Sequence, residues 1–555
     1  MLVFSGLALL TGIVAGFGAV FFRGLIALFH NLLFLGKLSF SYDATAHTPA
    51  SPLGPLVIFV PVLGALVVAY LVKNYAPEAK GHGVPEVMEA IHYHRGRMRP
   101  IVAVIKSFAS ALSIGSGGSV GREGPIVQIG SAFSATIGEL LHLPTWQRIT
   151  LIAAGAGGGI AATFNTPVGG VLFALELMLH EVSVRTLVPV TIATVAATYV
   201  GQIAFGPHPA FLIPAFESPY FHLTNPFVLM AYAVLGVITG LVSALFIVTL
   251  YAFESIFEHR IRGSYYRQHC IGMLLVGLIF YALMMTCGHY YVEGVGYATI
   301  QDVLSGAHIG FVLLLLLFGL KLLATSLTLG SGASGGVFSP ALFMGATLGG
   351  AYGMIVKSLA PGLDINPAAF AVVGMAGVVG GSTAAAVTAI VMIFEMTLDY
   401  RVVIPMTLTV AVSYGVRRAV IRNSIYTRKL VLRGHPVPEA LQTHVYLTNS
   451  AKSLMDTRIE TVPASETVEE FRKHPAADPS VWYLVTEDGR VVGLVSSEDG
   501  GETRPAMAPR WARWRGATSA WCGSRHRSAW SAEPCAGRMP LLHWLLPMAW
   551  TRPKM

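Results

Sequence analysis

Apolar residues in this chain gather into long runs instead of alternating with polar ones. Runs at or near the roughly 17 to 25 residues that carry a helix across a bilayer recur from Leu2 to Leu35, Leu53 to Val72, Ile101 to Ile114, Leu187 to Ile203, Phe227 to Phe253, Ile271 to Met285, Ile309 to Leu327 and Phe370 to Ile393. Spacing of this kind predicts an all-α polytopic membrane protein. Several runs are too short to span, and Gly or Pro interrupts many of them. In lipid such breaks are tolerated only where the freed backbone groups line a cavity or pack on protein, so broken helices around an ion or substrate path are expected.

Composition agrees: of 555 residues, 54% are hydrophobic and 12% charged, whereas a soluble domain carries about a quarter charged residues. An ordinary cytosolic enzyme is excluded. The net charge of +8 sits almost wholly at the end, where residues 501–555 hold nine Lys and Arg against two Glu; no basic face is left for a nucleic-acid partner. Cys270, Cys287, Cys522 and Cys535 have neither disulfide nor metal-ligand spacing. The first run carries Arg23 and His30 and is too long for a signal peptide, so it is read as a retained helix.

An internal repeat is written into the glycines. Gly115-Ser116-Gly117 recurs as Gly330-Ser331-Gly332, Ser119 as Ser334, Gly121 as Gly336, Pro125 as Pro340, Gly130 as Gly345 and Gly138 as Gly353, all at a spacing of 215 residues. A looser match relates the stretch from Leu151 into Phe173-Ala174-Leu175-Glu176 to that from Phe370 into Met392-Ile393-Phe394-Glu395. The chain therefore divides into halves at about 1–205 and 222–425. Paired interrupted segments at matching positions of two repeats point to a binding site near the membrane midplane. Each is a Gly-rich stretch before a helix start, where unpaired N–H groups and the helix dipole favour an anion. No GxxxxGK[ST] accompanies them, which argues against a nucleotide-driven pump.

Four motifs then appear in order: Gly81-His82-Gly83-Val84-Pro85-Glu86, Gly121-Arg122-Glu123-Gly124-Pro125, Gly336-Val337-Phe338-Ser339-Pro340, and Tyr426 after the last apolar helix. Over residues 1–430 the chain resembles the CLC family of chloride channels and anion/proton exchangers, whose patterns read GSGIPE, GREGP and GxFxP. The resemblance implies two inverted repeats of broken, tilted helices and a homodimer with one anion path per subunit. It implies a central anion held by the amides of Val337 and Phe338 and the hydroxyl of Tyr426, with His82 and Gly83 at the same site. Amides from Arg122 to Gly124 would form an outer site. These are weak neutral donors, and weak binding suits an ion that must also leave.

Glu123 is the candidate gate. Deprotonated, its carboxylate would occupy an anion site; protonated, it would lose its charge and swing away, tying anion movement to pH or to a proton. The plainer reading is a helix-start Glu stabilised by the dipole. Two positions depart from the family. His82 stands where a serine would contact the central anion, and either anion contact or packing against Pro85 accounts for it. Leu177 stands at the internal proton-relay position of many exchangers and carries no proton; neighbouring Glu176 is read as structural. These departures favour a channel or weakly coupled transporter over a strict chloride/proton exchanger. Lys106 is a candidate positive charge along the path, while Lys321 and Glu395 are read as structural.

Basic connections at Arg95 to Arg99, His259 to Arg262 and Arg417 to Lys429 are expected to face the cytoplasm, in a bacterial plasma membrane with a cytoplasmic C-terminus. The apolar run starts at Leu2, so the short helix that often precedes the first span in that family is expected to be missing. Residues 431–500 form a linker and then a strand, a helix and a hairpin turning at Asp488-Gly489, resembling the first part of a CBS domain. The tail 501–555, with six Trp and no sustained period, is read as frame-shifted or degenerate, which argues against adenine nucleotide binding; a Trp/Arg-rich membrane-surface segment is the rival reading. A CBS-regulated cation transporter would need several carboxylates in the midplane turns, and these turns hold Glu123 alone. No nucleophile elbow, HExxH or paired-Cys site is visible, so neither an enzyme nor a bound metal or cofactor is expected.

Overall fold

The computed structural model describes residues 2–179, 182–211, 226–261, 263–307, 309–362, 365–437, 460–471 and 482–496. Arg262, most of the linker and the tail 501–555, with the expectations attached to them, lie outside the described residues. The chain separates into two compact units at Thr443.

The first unit is helical. One series runs α1 (Leu2–Leu35), α2 (Val60–Tyr75), α3 (Val84–His92), α4 (Ile101–Gly115), α5 (Glu123–Leu140), α6 (Thr145–Phe164), α7 (Pro167–Phe173, extended by a π-helical turn Ala174–Leu179) and α8 (Val184–Phe205). A second repeats its order: α9 (Pro226–Ser255), α10 (Tyr265–Cys287), α11 (Tyr297–Ser305), α12 (Phe311–Gly330), α13 (Phe338–Leu359), α14 (Pro367–Thr383), α15 (Ala386–Thr397) and α16 (Val403–Val420), followed by the short α17 (Thr427–Leu432). Packing repeats too. Helix α1 lies on α8 as α9 lies on α16, and α5 on α6 as α13 on α14.

Small residues permit these approaches. A Cβ on Gly130 would meet the Gly155 carbonyl oxygen at 2.3 Å, and one on its mate Gly345 would meet that of Gly374 at 2.4 Å. Proline opens α7, α9 and α14, where its missing N–H has no helical partner to lose. Among the described residues, seven helices are long and apolar enough to cross a membrane.

Two expectations change. The run from Phe370 to Ile393 is no single span: α14 stops at Ala384, in the left-handed region at φ 65°, and α15 starts afresh. Its mate Asn165 ends α6 in the same conformation at φ 60°, so the break belongs to the repeated backbone and an alanine accepts it at a cost of about 1 kcal/mol. The third basic connection also loses its first member, while Arg418 and Arg422 stay exposed. Arg417 is fully buried, with Nε donating to the Gly381 carbonyl at 2.8 Å and Nη1 to that of Arg422 at 2.8 Å.

The halves are stitched by a reciprocal exchange. Glu395 accepts from the N–H groups of Val168 and Gly169 at the start of α7, at 3.0 and 2.7 Å. Glu176 accepts from those of Val387 and Thr388 at the start of α15, at 3.3 and 2.8 Å, and from the Thr388 hydroxyl at 2.7 Å. Each carboxylate thus caps a helix of the opposite repeat, against its positive dipole end.

The second unit contains β1 (Glu460–Pro463), β2 (Trp482–Glu487) and β3 (Arg490–Ser496), in the order β1-β2-β3. Strand β1 is parallel to β2, and β3 antiparallel to it. Asp488 and Gly489 make the turn with φ of 50° and 73°, the geometry that a two-residue DG hairpin requires.

Candidate functional site

Three loops meet where the halves meet. Residues 116–122 lead from α4 into α5, 331–337 lead from α12 into α13, and 79–83 lead into α3. Gly121 and its repeat mate Gly336 exchange both backbone bonds, at 2.8 and 2.6 Å. Gly81 N–H donates to the Ala333 carbonyl at 3.0 Å, and the Gly81 carbonyl accepts from Gly335 N–H at 3.2 Å. Buried hydroxyls repeat the symmetry: Ser110 pairs with Ser334 at 2.8 Å, and their mates Thr325 and Ser119 pair at 3.4 Å.

Helices α5 and α13 begin at this junction, with Arg122 and Val337 at their N-caps. Pro125 and Pro340 lie in their first turns. Glu123 is buried and points across the junction. Its Oε2 accepts from Ser339 N–H at 3.3 Å, and its Oε1 accepts from the Tyr297 hydroxyl at 2.5 Å and from the Ser339 hydroxyl. The Tyr297 and Ser339 hydroxyls are themselves 2.6 Å apart. A carboxylate therefore sits against the N-terminal end of the other repeat's helix, where donors for an anion converge.

Helix α3 brings the next residues. Gly83, at φ 87°, caps it, and its N–H donates to Glu86 Oε2 at 3.0 Å. His82 is buried, its ring edge-on to Tyr251 at 6.2 Å, and its Nδ1 has no hydrogen-bond partner. Gly124 cannot be larger, because a Cβ there would meet the His82 carbonyl oxygen at 2.0 Å. The Tyr251 hydroxyl holds the Ile425 carbonyl at 2.5 Å, beside buried Tyr426 at the N-cap of α17.

The buried lysines are repeat mates with matching work. Lys106 Nζ donates to the carbonyls of Ala79 and Gly81 at 3.0 and 2.8 Å; Lys321 Nζ donates to those of Val292 and Gly294 at 3.0 and 2.9 Å. Each clamps the loop before its half's short helix, α3 or α11. Lys106 thereby holds the backbone that carries His82. Arg122 lays its guanidinium over the rings of Tyr297 and Phe164, at 5.1 and 5.7 Å. Leu177 is buried on the π-helical turn. Outside the spans, Arg433 binds Glu86 at 2.8 Å and Glu89 at 2.8 Å. Burial pulls its guanidinium down, but these two carboxylates outweigh that and hold it above its ordinary value.

Sequence reasoning missed Tyr297 and the hydroxyl of Ser339 as partners of Glu123. Ser339 lies inside a quoted motif, and Gly296-Tyr297 matches Gly83-Val84 at the head of the mate helix, which is the signal that could have found it. Among the described residues there is no group of three His, Cys, Asp or Glu side chains arranged for a metal ion.

The family model described as voltage gated chloride channel matches residues 64–418. The H(+)/Cl(-) exchange transporter ClcA of Vibrio cholerae serotype O1 is 31% identical over 417 residues, covering 73% of this chain and 84% of that protein. Among solved structures, a slow cyanobacterial Cl−/H+ antiporter superposes with a TM-score of 0.66 at 24% identity, over 78% of this chain and 97% of the other. A CLC-type fluoride/proton antiporter gives 0.63 at 24% identity, over 76% and 96%. With its apolar helices, its repeated fold and these likenesses, the chain is an integral multi-pass membrane protein that belongs to the voltage gated chloride channel (CLC) family.

Proposed function

We propose that the chain carries chloride or a similar small anion across a membrane, through the junction of its two halves, with Glu123 as the gate. The observation that carries this reading is the Glu123 carboxylate accepting from Ser339 N–H at the head of α13: a side-chain anion occupies the place that a free anion would take. The amides of Val337 and Phe338, the Tyr426 hydroxyl, His82 and Gly83 line the central position, and the amides from Arg122 to Gly124 the outer one. No enzyme chemistry is assigned. The working unit is a homodimer in a bacterial plasma membrane with its C-terminus in the cytoplasm, and residues 431–500 form a linker and a partial CBS-like domain.

Leu177 supports movement of the anion as a channel or with weak proton coupling. A second reading, a strict exchanger with another relay, is favoured by the exchanger named among the relatives. Purified protein in chloride-loaded liposomes, with chloride efflux and proton movement recorded together, separates the two. Efflux without protons in fixed proportion is expected. Protons driven uphill in fixed proportion to chloride establish the exchanger instead. Glu123→Gln is expected to change the flux and abolish its pH dependence; unchanged flux at every pH removes the gate from Glu123.

A further inference from the structure

We infer that Tyr297 and Ser339 form a two-hydroxyl latch that holds the Glu123 carboxylate in its closed position and sets the pH at which the path opens. The inference rests on the gate reading of Glu123 and goes beyond it, by naming positioning residues from the opposite repeat.

The geometry is specific. One carboxylate oxygen, Oε1, takes both hydroxyl donors, while Oε2 takes the Ser339 amide at 3.3 Å. Hydrogen bonds to an ionised acceptor are shorter and about twice as strong as neutral ones. All the partners are buried, so water does not replace a missing donor cheaply. Each of these donors is a contact that the carboxylate must give up to swing away, so the latch holds it inward.

Tyr297 is held for this task. Its ring packs edge-on against Phe211 at 5.4 Å and beneath the Arg122 guanidinium at 5.1 Å. Its backbone follows Gly296, at φ 78°, on the loop that Lys321 clamps through Val292 and Gly294. The charged and titratable groups around Glu123 include Tyr297 from α11, Lys321 from α12 and Tyr426 at the start of α17, with Arg122 at its own helix start lying over the Tyr297 ring. The two cations and the backbone amide are untouched when a hydroxyl is deleted. A change in pH response therefore reports on the hydroxyls.

The test measures chloride flux in liposomes from pH 4 to pH 8 for the parent, Tyr297→Phe, Ser339→Ala and the double variant, each also carrying Glu123→Gln. With Glu123 present, the pH of half-maximal flux is expected to rise by about one unit in Tyr297→Phe, roughly the worth of one charge-assisted bond. Ser339→Ala, which keeps the amide donor, is expected to move it the same way. The double variant should rise by less than the sum, since both hydroxyls share one oxygen. With Glu123→Gln, neither substitution should move the profile. Parent flux that depends on pH, loses that dependence in Glu123→Gln, and keeps its midpoint in both hydroxyl variants overturns the latch and leaves the gate standing. Parent flux without pH dependence overturns the gate reading itself. Thermal unfolding of each variant identifies a folding defect, and Ser339→Ala alone carries the test if Tyr297→Phe does not fold.

Discussion

The two halves of the transport unit share a frame and differ in what they place on it. Gly121 and Gly336 pair as mates; Lys106 and Lys321 clamp equivalent loops; Glu176 and Glu395 cap each other's helices. At the junction the mates diverge. Where the first half has Glu123 and Gly124, the second has Phe338 and Ser339; where the first half opens its short helix with Gly83-Val84, the second opens with Gly296-Tyr297. Repetition supplies two helix N-termini facing one place. A few unlike side chains then make one of them bear the acid and the other hold it.

The largest test of this difference makes the first half imitate the second. Gly124→Ser puts a Cβ on the His82 carbonyl oxygen and is expected to cost more than about 3 kcal/mol, with chloride flux abolished. Near-normal thermal unfolding would show that the loops are not held as closely as the distances require.

Next come the lysine mates. Lys106→Met and Lys321→Met each strip two buried carbonyls of their donor, at an expected cost of about 3 kcal/mol in unfolding. Their functional effects should part: the first disturbs the His82 loop and anion affinity, the second the Tyr297 loop and the pH profile. Identical effects on both readouts would mean that the clamps serve the frame alone.

A smaller loss is expected for the crossed caps. Glu176→Ala and Glu395→Ala should each lower stability by about 1 to 2 kcal/mol. The former should lose more, because the Thr388 hydroxyl also loses its acceptor. The reverse order in thermal unfolding would break that assignment. Smallest is the hydroxyl pair, with Ser110→Ala costing about 1 kcal/mol and Ser119→Ala less, as the longer Ser119–Thr325 contact implies.

Much of the frame was legible because glycine and proline mark it locally. Matching glycines located the loops at 115–121 and 330–336, and the helix starts at Glu123 and Phe338 followed from the same motifs. Hydropathy failed at Ala384, since an alanine in the left-handed region leaves no compositional trace within an apolar run. Arg417 was read by its charge as part of a surface connection, although its three carbonyl partners, Gly381, Ile421 and Arg422, bury it. The Tyr297 contact escaped for a different reason: Tyr297 lies 174 residues from Glu123, and only the match of Gly296-Tyr297 to Gly83-Val84 marks it in the sequence.

The sequence by itself determined the solvent, the duplication and the sign of the ligand. Each depends on local content: long apolar runs, glycines repeated at a fixed spacing, and helix starts rich in unpaired N–H groups. Only the tertiary structure decided which side chains meet at the junction. That meeting depends on how two packed helix series are stacked and clamped, and a side-chain hydrogen bond forms or fails within a few tenths of an ångström. Periodicity along one chain cannot convey a distance that small between its two halves.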